Sequence, residues 1–231
     1  EIRFPHPLGL LYSAFTYYLG FKVNSAEYKV MGLSPYGKPV YYDKIMGKII
    51  KVAADGSYWM DQSYFAYTHG LVMTTEKLHD LMGGPPVKPE TRPTQREMDI
   101  AASLQAVTDE IMLKMAAALQ QETGQKNLCL AGGVALNCVA NAKILNAKIY
   151  DNIFIQPAAG DAGGALGVAL YITHALKEVP RGPGLNDVYL GPEFSDADIE
   201  KYLTANNIGF TKYERAELLQ RLAQLISEQA V

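Results

Sequence analysis

The chain has 231 residues, enough for one large domain or one and a half, with a core that needs neither disulfides nor a structural metal. Hydrophobic residues make up 48% and charged residues 19%, ordinary globular values that exclude wholesale disorder, a collagen-like repeat and a coiled coil. A net charge of −3 argues against a dedicated nucleic-acid binder but leaves room for a nucleotide held by backbone N–H groups at a helix start.

In chain order, Leu8, Leu11, Phe15, Tyr18 and Leu19 share one face of a helix that Gly20 stops. Residues 28–33 lead into a Ser34-Pro-Tyr-Gly37 turn. Residues 48–67 read as a β-hairpin whose Asp55-Gly56 pair signals a type I′ turn. Residues 83–93, with Pro85, Pro86, Pro89 and Pro93, form a surface loop. Thr94-Gln-Arg-Glu97 is a capping box, and Leu104, Val107, Ile111, Met115 and Leu119 continue it as an inward stripe that ends at Gly124.

Two β–α units follow. Residues 127–131 are a short strand and 134–147 a helix with Leu136, Ala140, Ile144 and Leu145 inward; residues 152–155 are a second strand and 162–176 a helix rich in small residues. This alternation predicts an α/β fold with a parallel sheet covered by helices. The composition changes at Val179-Pro-Arg-Gly-Pro-Gly184; beyond it, residues 196–206 and 216–229 read as helices and 209–213 as a strand. We therefore expect one domain over residues 1–178 and the truncated start of another over 179–231. The first residue, Glu1, reads as the edge of a cut chain, and the last helix runs uncapped to Val231. Its stripe of Leu218, Leu219, Leu222, Leu225 and Ile226 calls for a covering surface, which a homodimer is one way to supply.

Cys129 and Cys138 lie in apolar stretches, so buried free thiols in a reducing, cytoplasmic setting are expected. No apolar run approaches the roughly 18 residues that cross a bilayer, so no membrane partner is expected. His6, His69, His79 and His174 are scattered and form no i, i+4 metal pair.

Three segments carry chemistry. In Ala131-Gly-Gly-Val-Ala-Leu-Asn137 a strand feeds two glycines and then a helix. Gly132 and Gly133 let a ligand approach the backbone, and Asn137 either hydrogen-bonds that ligand or is solvated beside a plain βα turn. In Gln156-Pro-Ala-Ala-Gly-Asp161-Ala-Gly-Gly-Ala-Leu-Gly167 a carboxylate follows a strand end. Asp161 there ligates a metal or steers a hydroxyl, or it simply caps the helix; Gly163, Gly164 and Gly167 permit close packing. Between residues 24 and 37, Glu27 and Lys29 either grip an anion and a sugar hydroxyl or form a solvated pair.

These blocks, in this order and together with Leu8-Gly-Leu-Leu-Tyr-Ser-Ala-Phe, closely resemble the O-carbamoyltransferases of the nodulation-protein-U, cephamycin and tobramycin type over about residues 4–176. The resemblance implies the second half of an actin-like ATPase (ribonuclease-H-like) domain, shared with tRNA threonylcarbamoyl transferases, followed by the beginning of an α/β YrdC-like domain. It implies that carbamoyl phosphate and ATP give a carbamoyl-adenylate, with Mg for that step. The carbamoyl group then passes to a hydroxyl of a small-molecule acceptor at one divalent metal, expected to be Fe(II). Asp161 matches the family's aspartate ligand, and Gly132, Gly133 and Asn137 match its nucleotide loop, with Glu27 and Lys29 assigned to the same nucleotide. The histidine ligands belong to sequence before Glu1, so the fragment alone is expected to be inactive. The alternatives weighed are a sugar-kinase-like phosphotransferase on the same fold and a non-catalytic nucleotide-binding module.

Overall fold

The computed structural model describes residues 1–185 and 187–228. The chain divides into two compact units, Glu1–Arg181 and Gly182–Val231, so the division falls inside the Pro/Gly segment that starts at Val179.

The first unit begins with α1 (Leu8–Tyr18), followed by α2 (Glu27–Leu33) and a 3-10 turn over Ser34–Tyr36. Leu8, Leu11, Phe15, Tyr18 and Leu19 are all buried, as the spacing requires. Each such side chain stabilises the fold by about 1.5–3 kcal/mol relative to exposure. Gly20 ends α1 with a φ of 81°, and a Cβ there would sit 2.9 Å from the carbonyl oxygen of Val87, so glycine is needed twice over. The 83–93 loop is tied down at this point: Val87 N–H donates to the Tyr18 carbonyl (2.8 Å), and the Tyr18 hydroxyl donates to the Gly84 carbonyl (2.6 Å).

A short α3 (Tyr42–Lys44) continues as a π-helical turn, Ile45–Ile49, into β1 (Ile50–Val52). β1 pairs antiparallel with β2 (Tyr58–Met60), Ile50 opposite Met60. The expected type I′ turn is not made. Only Gly56 takes a positive φ (80°), while Gly56 N–H bonds to Ala53 C=O and Ala53 N–H to Ser57 C=O. That is a three-residue loop closed by a left-handed glycine, which spares Asp55 the left-handed conformation a type I′ turn would demand.

After α4 (Glu76–Met82), the Thr94–Glu97 capping box opens α5 (Gln95–Thr123), a 29-residue helix. The Glu97 carboxylate accepts from both the Thr94 N–H and its hydroxyl. Ile100, Leu104, Val107 and Ile111 are fully buried against α1 and the hairpin. Farther along, the expected stripe fails: Met115 and Leu119 are exposed, because the second half of α5 turns Ala116 instead toward Leu128, Ile144 and Tyr150 in a smaller core.

β3 (Asn127–Leu130) and β4 (Asn152–Ile155) form a parallel pair in the register Asn127 to Asn152, joined through a 3-10 turn at Gly133–Leu136 and α6 (Cys138–Asn146). A parallel pair needs such a crossover. The predicted single helix is broken at Asn137, and Leu136 and Leu145 are exposed while Ala140 and Ile144 are buried. Cys129 and Cys138 are exposed, contrary to expectation. Side chains alternate across a strand: Leu128 faces the small core, whereas Cys129 and its register partner Phe154 face away from it. Cys138 opens α6 and is exposed, with its Sγ 3.8 Å from Met31 Sδ.

α7 (Ala162–Tyr171) extends through a π turn, Ile172–Leu176, and buries none of its residues. Of its glycines only Gly163 makes a close approach, where a Cβ would fall 2.2 Å from the Ala158 carbonyl oxygen; Gly164 and Gly167 face open space. In the second unit, α8 (Asp196–Ala205) starts at a Ser195–Asp198 capping box and α9 (Arg215–Ser227) presents an exposed Leu218, Leu219, Leu222 and Ile226. The expected strand at residues 209–213 is not formed: these residues carry no regular secondary structure. The predicted end of the last helix at Gln229, and Val231, lie outside the described residues.

Candidate functional site

Two strand-end loops lie side by side in the first unit. The Gly132 N–H donates to the Ala159 carbonyl (2.7 Å), which staples the loop after β3 to the loop after β4. Gly132 has a φ of 98°, a left-handed conformation that suits glycine, and its neighbour Gly133 opens the 3-10 turn. A Cβ on Gly133 would meet no protein atom within 4 Å, so the backbone there is open to a ligand.

Beside these loops is a cavity of about 660 Å³. Glu27, Gly133, Asn137 and Asp161 all line it, together with Tyr12 and Ser13 of α1. The structure thus gathers four of the six predicted residues, drawn from three distant segments. Gly132 adjoins the cavity through Gly133. Lys29 does not reach it: the residue is exposed on α2, and side chains two apart on a helix point to different sides. Glu27 and Lys29 therefore do not line this cavity together.

Glu27 is held rather than solvated. Its Oε1 accepts from the Ser13 hydroxyl (2.9 Å) and from the Asn24 N–H (2.8 Å). Asp161 occupies the N-cap position of α7, but with φ −57° and ψ −35° its side chain makes no cap hydrogen bond. The capping role is ruled out by this geometry, and the exposed carboxylate is free at the cavity edge. Asn137 is neither solvated nor idle. Its Oδ1 caps α6 by accepting from the Ala140 N–H (3.0 Å), and its amide is paired with that of Gln105.

Behind the wall lies a polar network that the sequence reading missed. Gln105 Oε1 accepts from the Tyr12 hydroxyl (3.0 Å) and from Asn137 Nδ2 (3.1 Å); Gln105 Nε2 donates to Asn137 Oδ1 (3.0 Å) and to Asp109 (2.6 Å). Burial, reinforced by the Asp109 charge, holds the Tyr12 hydroxyl protonated far above its usual range. Burial also raises the Asp109 carboxyl, against the opposing pull of the Gln105 bond and of Lys143. The available signal was a glutamine between Leu104 and Val107, placed where an apolar residue would extend the buried face of α5.

Among the described residues, no group of three or more His, Cys, Asp and Glu side chains comes together to hold a metal ion. The residues present therefore do not fit a complete metal centre; Asp161 offers one carboxylate. The open backbone at Gly133 and a cavity of this volume leave room for a small molecule. Among the described residues no helix is long and apolar enough to cross a membrane.

The first unit thus places a glycine loop and a carboxylate loop, stapled together, at adjoining ends of a parallel strand pair. Residues 1–170 match the family described as the carbamoyltransferase N-terminus, and the chain belongs to that family. It is 49% identical to an uncharacterized protein of Synechocystis, sll1178, over 98% of this chain and 38% of that protein. It is 37% identical to nodulation protein NolNO of Sinorhizobium fredii over 97% of this chain and 31% of the relative. It is 36% identical to nodulation protein NolO of Bradyrhizobium diazoefficiens over 84% of this chain and 34% of the relative. The chain thus spans about a third of the length of these curated relatives.

Proposed function

We propose that the protein is an ATP-dependent O-carbamoyltransferase that moves a carbamoyl group from carbamoyl phosphate, by way of a carbamoyl-adenylate, to a hydroxyl of a sugar or natural-product acceptor. The carbamoyltransferase family supports the group transferred. The observation that carries the site assignment is the meeting of Glu27, Gly133, Asn137 and Asp161 at one cavity. In this reading the first unit belongs to an actin-like ATPase domain, a YrdC-like domain follows it, and the protein works in the cytoplasm.

The residues of this chain take up definite tasks. The backbone at Gly133 lies against the adenylate, where no side chain holds the ligand away. The Glu27 carboxylate, fixed by Ser13 and Asn24, accepts hydrogen bonds from sugar hydroxyls, since an ionised carboxylate only accepts. Asn137 stiffens the loop rather than binding the ligand through its amide. Holding the acceptor hydroxyl and the carbamoyl carbon in line removes much of the entropic barrier. Asp161, at the cavity edge and free of a cap bond, would supply one carboxylate ligand to a divalent metal.

The test is substrate dependence. Forming an adenylate expels pyrophosphate, so pyrophosphate release must require ATP and carbamoyl phosphate together. Release of ADP with ATP and a sugar alone, independent of carbamoyl phosphate, would instead identify a kinase.

A further inference from the structure

We infer that Gln105 is a positioning residue for the cavity: its carboxamide joins the α1 wall to the Asn137 wall, and Asp109 sets the direction of the hydrogen bonds that make the joint. The inference rests on the reading of this cavity as the nucleotide site.

Gln105 is 3% exposed and does not line the cavity, yet both its neighbours Tyr12 and Asn137 do. A glutamine side chain offers two N–H donors and two acceptor lone pairs. All four are used, two on Asn137, one on Tyr12 and one on Asp109. The orientation is fixed at both ends. Asp109 Oδ1 accepts from Nε2 of Gln105 (2.6 Å), which keeps the nitrogen end of that amide turned toward Asp109. The Ala140 N–H can only donate, so Oδ1 of Asn137 must face that amide. Between these two anchors the Gln105 and Asn137 amides have one mutually compatible arrangement, and the Tyr12 hydroxyl is left to donate to Gln105.

The consequence is geometric. Asn137 is the junction between the Gly133 turn and α6, and Tyr12 lies next to Ser13, which holds Glu27. Gln105 therefore fixes the separation between the Gly133 side and the Glu27 side of the cavity without touching a ligand. A buried amide network of this kind is either fully satisfied and rigid, or badly frustrated when one member is changed.

Gln105→Glu keeps the shape of the side chain but removes both donors and sets a carboxylate against Asp109. Gln105→Glu/Asp109→Asn restores a donor at position 109. Asp109→Ala, at a half-buried site away from the cavity, removes only the anchor and spares the core. Each purified protein is titrated calorimetrically with a non-hydrolysable ATP analogue, and hydrogen exchange is followed over residues 133–140 without ligand; urea unfolding reports stability separately. We expect nucleotide affinity per folded molecule to fall about tenfold or more in Gln105→Glu, the scale of a lost buried hydrogen bond, with substantial recovery in the double variant. Asp109→Ala should lose affinity severalfold per folded molecule and exchange faster over residues 133–140 by more than its loss of overall stability accounts for. Unchanged affinity and unchanged exchange in Asp109→Ala would overturn the inference, as would lower stability with wild-type affinity in folded Gln105→Glu. If Gln105→Glu does not fold, Asp109→Ala decides alone. If the wild-type protein binds no nucleotide, the nucleotide reading fails, and exchange over residues 133–140 in Asp109→Ala still decides the positioning role.

Discussion

Replacing Gly133 by valine separates a ligand-contacting glycine from one that merely makes a turn. The two adjacent glycines differ. Gly132 has a φ of 98°, so any side chain there is strained, whereas Gly133 lies outside the left-handed region. A Cβ at Gly133 would find no protein atom within 4 Å, so Gly133→Val creates no clash in the folded chain. Its effect on stability should stay within about 0.5–1 kcal/mol, the range of exposed substitutions that break no special feature. The added methyls project where the cavity adjoins the turn. A nucleotide lying against that backbone loses its closest contact, and a tenfold loss of affinity corresponds to about 1.4 kcal/mol. Urea unfolding followed by the fluorescence of Trp59 gives the first quantity, and calorimetric titration with the ATP analogue gives the second. A stable variant with wild-type affinity would refute the contact and leave the loop as a turn. A loss of several kcal/mol of stability would refute the reading that the space beside Gly133 is open.

In a full-length protein that contains this chain, Asp161→Asn should lower the metal content by elemental analysis while circular dichroism stays unchanged, because the carboxylate makes no cap bond that folding would miss; full metal retention would remove Asp161 from the ligand set. His79 is packed near the Tyr18 ring and shares a hydrogen bond with the Thr74 hydroxyl, and desolvation lowers its pKa against the opposing charges of Glu76 and Asp80. The unfolded chain then takes up the proton first as pH falls, so this contribution is complete above the unfolded value and is lost as pH drops through the folded one. Urea midpoints of wild type should decline between about pH 7.5 and about pH 5 more than those of His79→Gln, and parallel declines would contradict the assignment. Limited proteolysis should cut within residues 179–185, near the division between the two units, and leave a stable core that ends near Lys177; resistance there would place the boundary elsewhere.

Much of the local structure was legible because it follows from short-range chemistry. The Thr94–Glu97 box, the Gly124 stop and the buried face of α1 are each decided within a few residues, and each is made. The parallel pairing of residues 127–130 with 152–155 followed from the βαβ pattern. What failed depended on which neighbour covers which face. The apolar stripe of α5 continues through Met115 and Leu119 in sequence, but the helix turns a different face to the small core, where Ala116 packs. Cys129 is apolar in context yet alternates outward beside Phe154. Glu27, Gly133, Asn137 and Asp161, which motif chemistry singles out, line one cavity, while Lys29, singled out by its nearness to Glu27 in sequence, falls on another side of α2. Tyr12, Gln105 and Asp109 went unseen because their meaning lies in hydrogen bonds that span up to 93 positions of the chain.

The central claim is that the cavity serves carbamoyl transfer, and one measurement addresses it directly. A purified full-length protein that contains this chain is incubated with carbon-labelled carbamoyl phosphate, ATP and a panel of hydroxyl-bearing sugars, and label in the acceptor is measured alongside AMP. The account predicts acid-stable label on an acceptor oxygen, formed one for one with AMP and abolished by Glu27→Ala in a folded protein. Label transfer that proceeds equally without ATP, or that survives Glu27→Ala undiminished, would contradict it.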